Sequence, residues 1–66
     1  MVKRKVIINK LRLPVDGFAY DVKLLTSIDG GQTFYYAGFG RFARTKEDAA
    51  RIAARIAAEN DAEVMP

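Results

Sequence analysis

The sequence predicts an α+β domain: a three-stranded antiparallel meander followed by one C-terminal helix packed on one face. Three observations carry this. Residues 2–13, 18–29 and 32–43 are rich in β-branched and aromatic side chains, with period-two alternation clearest in the second stretch. Two turn clusters separate them, Pro14-Val15-Asp16-Gly17 and Asp29-Gly30-Gly31. Residues 45–60 then repeat apolar side chains at helical spacing. With 66 residues the chain forms one small domain, residues 1–66, with a modest core.

The first stretch changes phase. Val6 and Ile8 alternate with Arg4, Lys10 and Arg12, whereas Ile7, Leu11 and Leu13 share the phase of Lys3, Lys5 and Asn9. A bulge or bend near Asn9 is expected, and either phase can be the buried one. In the second stretch Phe18, Tyr20, Val22, Leu24 and Ile28 form the core face, so Asp21 and Lys23 point away from it. In the third, Phe34, Tyr36, Gly38, Gly40 and Phe42 share one phase, read as core. Tyr35, Ala37, Phe39 and Arg41 then look outward. Gly38 and Gly40 mark a bend, a bulge or a close approach of another element.

Thr45 is the expected N-cap of the helix, with Asp48 at the third helical position as a weaker capping-box partner than Glu or Gln. Ala49, Ile52, Ala53, Ile56 and Ala57 make one stripe. Alanine is the strongest helix former, and its small side chain lets a helix lie close to a sheet. Bulk in the core is therefore expected from strand Phe, Tyr, Leu and Ile. Glu47–Arg51 is spaced as a favourable i, i+4 pair. Asn60 and Asp61 read as stop signals, and the tail 62–66 as frayed.

Composition excludes several function classes. There is no Cys and no His, which removes thiolate and imidazole metal ligands and the commonest general base. No paired acids come with a pocket, so neither an enzyme, a cofactor nor a metal is expected. No apolar run reaches membrane-spanning length and no signal-peptide core follows the N-terminal charges, so a cytoplasmic location and no membrane partner are expected. The net charge of +3 is unevenly spread. Residues 1–12 hold Lys3, Arg4, Lys5, Lys10 and Arg12 with no acid, and residues 41–55 add Arg41, Arg44, Lys46, Arg51 and Arg55. Such clustering suits a polyanion; ordinary surface charge explains it equally well.

Two resemblances add to this reading. Ser27-Ile28-Asp29-Gly30-Gly31-Gln32-Thr33-Phe34 resembles an Asp-box hairpin, in which an Asp side chain ties down a glycine turn and an aromatic anchors it. Too short for a propeller, the chain uses the motif as turn hardware rather than as a sign of glycosidase activity. The three-strand-then-helix order, with Tyr35, Tyr36, Gly40 and Phe42 before Thr45-Lys46-Glu47-Asp48-Ala49-Ala50-Arg51, resembles the AP2-type DNA-binding domain. It is also similar to the arm-site-binding domain of tyrosine recombinases. That resemblance implies nucleic-acid binding, DNA ahead of RNA, by the sheet face opposite the helix. It implies a site drawn from Lys3, Lys5, Lys10, Arg12, Lys23, Tyr35, Arg41 and Arg44, with Thr33 beside them. Asp21 on the same face opposes it. The alternative is a protein-interaction module, as in a small phage or mobile-element inhibitor or a homodimer. It would use outward Leu25, Tyr35, Ala37 and Phe39.

Overall fold

The computed structural model describes residues 2–65, apart from the side chain of Ala37, which with Met1 and Pro66 lies outside the described residues. Its elements are β1 (Lys3–Val15), β2 (Phe18–Ser27), β3 (Tyr35–Ala43), α1 (Lys46–Asn60) and β4 (Glu63–Val64). They form an α+β fold with the helix packed on one face of a sheet ordered β3-β2-β1-β4.

β1 and β2 pair antiparallel, with Val6 opposite Leu24 and Ile8 opposite Val22. Directly opposed residues share a face. Val6, Val22 and Leu24 are buried, so this phase faces α1 and carries Arg4 and Lys10 with it. Lys3, Lys5, Ile7 and Asn9 point to the other side. The register slips between Lys10 and Val15, just beyond the bend expected near Asn9. Asp16 (φ 52°) and Gly17 (φ 83°) then turn the chain with two consecutive left-handed residues. That is the backbone of a two-residue hairpin, and it suits Asp-Gly. β1 consequently runs on through Pro14 to Val15 rather than ending at Leu13. Pro14 sits in the slipped stretch, where it removes no regular ladder bond.

The second connection is longer than a tight Asp-Gly hairpin, because its bonds close a loop from Ile28 to Phe34. The Ser27 hydroxyl donates to Asp29 Oδ1 at 2.6 Å and accepts from Gly31 N–H at 2.9 Å. Asp29 Oδ1 also accepts from the N–H groups of Gln32 and Thr33 at 3.0 and 2.9 Å. These donors favour the carboxylate, lowering the Asp29 pKa from 3.8 to about 2. Ser27 is fully buried and satisfied. Since β2 ends at Ser27, Ile28 belongs to the loop and is 69% exposed, not a core residue.

β3 reverses the expected sidedness. Tyr20 faces Ala43, Val22 faces Arg41 and Thr26 faces Tyr35. Ala43, Arg41 and Tyr35 therefore lie on the helix side, and Tyr36, Gly40 and Phe42 on the reverse. The physical reason is steric. An alanine-lined helix approaches closely, and Ala43 (3% exposed) fits beneath it where Phe42 would not. A bulge between the Lys23 and Leu25 pairings is accommodated by Gly38 at φ 84°. It inserts two residues, so alternation resumes in phase.

α1 starts on Thr45, whose Oγ1 accepts from Asp48 N–H at 3.1 Å. Arg51 pairs with Asp48 at 3.2 Å rather than with Glu47. Asp61 ends the helix in the left-handed conformation (φ 52°). The turn sets Ala62 against the core and lays Glu63–Val64 parallel to β1, opposite Lys5 and Val6. Met65 N–H donates to the Val6 carbonyl at 2.9 Å. Residues 62–65 are thus an edge strand and its flanks, not a frayed end.

The core is Val6, Val22, Leu24, Ala43, Ala49, Ala53, Ile56 and Ala57. Among the described residues it contains no aromatic ring, contrary to the bulk expected from Phe and Tyr, and Tyr20 packs on its margin. The molecule is 38 Å long, whereas a 15-residue helix spans only about 22 Å. The hairpin outruns the helix, and Leu13 and Val15 at its end are 81% and 63% exposed.

Candidate nucleic-acid interface

On the side of the sheet away from α1 the described residues form no second layer; only the loop 28–34 covers one end, over Ser27. Strand alternation places Lys3, Lys5 and Ile7 of β1, Asp21, Lys23 and Leu25 of β2, and Tyr36 and Phe42 of β3 on that side. Lys5 Nζ lies 4.0 Å from the centroid of the Phe34 ring, which brings the Asp-box aromatic to the same side. Phe34 is half-buried there, anchoring its loop on the reverse of the sheet rather than in the core. Lys23 Nζ lies 5.3 Å from the Tyr36 centroid and 3.2 Å from Asp21 Oδ2. Each lysine is attracted to the electron-rich face of its ring while its stem covers apolar surface.

Polarity and exposure are graded across this side. Ile7 and Leu25 are half-buried at its centre. Tyr36 and Phe42 are 53% and 59% exposed toward β3. Lys3 crosses the loop at Gly31, its Cδ 3.3 Å from where a Cβ would stand on that glycine. The acid that opposes an anion here, Asp21, is engaged by Lys23, with 14% of its side chain exposed. Ring faces, ammonium groups and apolar surface thus alternate over one side.

Of the eight residues expected to form an interface, Lys3, Lys5 and Lys23 share this side. Lys10 is on the helix side, beside Tyr20 and Lys46. Arg12 is exposed in the slipped end of β1. Tyr35 stands opposite Thr26 on the helix side and is 55% exposed, since the helix does not cover it. Arg41 is also on the helix side, with its guanidinium 5.7 Å from the Phe39 centroid and near Arg55 and Glu59. Arg44 is committed to the fold: Nη1 donates to the Asp16 carbonyl at 3.0 Å, and the guanidinium lies 4.4 Å from the Phe18 centroid. Arg41 and Tyr35 are displaced because the face of β3 was inverted; Arg44, because the first turn needs a donor.

The residues missed are Phe34, Tyr36 and Phe42. Their common phase is legible in the sequence, and only the side they face is not. The available signal was Ala43, the small side chain that an alanine stripe requires opposite it. Comparison of the chain with family models, curated proteins and solved structures yields no match.

Proposed function

We propose that this protein binds single-stranded nucleic acid through the helix-distal side of the sheet. One observation carries the reading: Lys5 and Lys23 stand over Phe34 and Tyr36 on the side of the sheet that α1 does not cover. Lysines neutralise phosphates, and ring faces accept unpaired bases by stacking. A single strand suits this side better than a duplex, because the arginines that would reach base edges, Arg41 and Arg44, lie elsewhere. Tyr36, 53% exposed, offers stacking surface that a paired helix does not use. The test is an NMR titration of the protein with a short mixed-sequence DNA strand and with its duplex. Shifts centred on Lys5, Leu25 and Tyr36, larger for the single strand, are the expected result. Shifts confined to α1, or none with either at low salt, end the proposal.

A second reading is supported by the apolar character of the same side. Tyr36 stands opposite Leu25 and is 53% exposed, with Ile7 and Leu25 half-buried beside it, so a monomer leaves this apolar surface partly wet. As a protein-interaction surface, this side would bury them against a partner or a second copy. Size-exclusion chromatography with light scattering separates the homodimer version: a strict monomer at high concentration removes it.

A further inference from the structure

β4 covers only a short part of the β1 edge. It pairs Glu63 with Lys5 and Val64 with Val6, and Met65 N–H reaches the Val6 carbonyl. Backbone groups along a strand point to alternate sides. Ile8 and Lys10 therefore present their N–H and C=O groups on the same edge as Val6. Among the described residues no strand pairs with them there. Against this edge lies an open groove of about 740 Å³, lined by Ile8, Lys10, Tyr20, Lys46, Ala50 and Met65 among others. Its charged lining is Lys10 and Lys46, with no carboxylate.

We infer that this edge and groove accept an extended acidic peptide segment, which lengthens the sheet beside β1 beyond Met65. Its backbone bonds to Ile8 and Lys10, an aliphatic side chain sits against Ile8, Tyr20 and Ala50, and a carboxylate two residues away, on the same face, meets Lys10 and Lys46. The chain already lengthens this edge once, with Glu63-Val64 pairing along β1 one register earlier. A second copy of β1 is a poor occupant. The strand carries Lys3, Arg4, Lys5, Lys10 and Arg12 and no acid, so a two-fold pairing would set like charges against each other. Nucleic acid lacks the peptide groups that would satisfy this edge.

The test uses the whole chain, isotope-labelled, titrated with the capped peptide Glu-Thr-Leu-Thr-Glu, whose carboxylates share the leucine's face, to about 1 mM, where even weak binding registers. Amide shifts at Ile8, Lys10 and Ala50, with slowed hydrogen exchange at Ile8 and Lys10, are expected. The same peptide with lysine for each glutamate should bind at least about tenfold more weakly. So should Lys10→Glu/Lys46→Glu protein with the original peptide. N-methylation of the leucine and of the threonine after it, which alters only the peptide, should abolish the exchange protection. No shift at the highest concentration, equal binding of the lysine peptide, or shifts centred on Ile7, Leu25 and Tyr36 would overturn the inference. Concentration-dependent shifts at Ile8 and Lys10 without peptide would also overturn it, in favour of self-pairing.

Discussion

Replacing Lys5 by Gln tests the proposed interface through its dependence on salt. Three lysines, Lys3, Lys5 and Lys23, share the side away from α1. If each neutralises one phosphate of a single strand, log K falls against log salt with a slope of about −2. Raising salt from about 50 to 200 mM then weakens binding roughly 20-fold. Lys5→Gln lowers the slope to about −1.4, a loss of roughly sevenfold over the same interval. Lys23→Gln should weaken low-salt binding further, because it also frees Asp21, whose carboxylate is 3.2 Å from the Lys23 ammonium. Asp21→Asn should strengthen binding. Fluorescence anisotropy with a labelled DNA strand gives all four slopes. A Lys5→Gln slope equal to that of the unaltered protein, or tighter binding by Lys23→Gln, would refute the reasoning.

Three further outcomes follow from the fold. Asp29 has its pKa lowered from 3.8 to about 2; the stability it adds is full above pH 4 and is lost as pH falls toward 2. Acid titration of Asp29→Asn should be flatter over that interval, and an identical acid profile would discount the loop bonds. Ala53 is fully buried, so Ala53→Leu should overpack the helix–sheet contact by about 1–3 kcal/mol in urea unfolding. Arg44→Ala loses the Asp16 and Phe18 contacts and should cost about 1 kcal/mol in the same assay. It should leave strand binding and its salt slope unchanged; a fall in the slope would return Arg44 to the interface.

Local chemistry was legible where it is self-contained. Thr45 caps the helix because its hydroxyl needs only the N–H of Asp48. Asp29 closes its loop with donors no further than Thr33. Ala49, Ala53, Ile56 and Ala57 form the buried stripe that their spacing implies. Lys23 faces away from the helix, as alternation around Val22 and Leu24 requires. Half of the candidate site was not legible, because β3 offers aromatic residues on both phases. Hydrophobicity cannot choose between them there, and the choice moved Arg41 and Tyr35 to one side and Tyr36 and Phe42 to the other.

The order of the first three strands and the helix, the caps and loop bonds, and which residues share a phase are readable from the chain alone. Those properties depend on neighbours within about a turn or a strand pair. Tertiary structure decided which phase of β3 meets the helix, that the short Glu63–Val64 segment becomes a strand, and which cations gather on one side. Each depends on the fit between distant segments. A close-packed alanine helix admits Ala43 and excludes Phe42, and β1 offers Glu63–Val64 an edge only after the helix has brought residues 62–65 back alongside it.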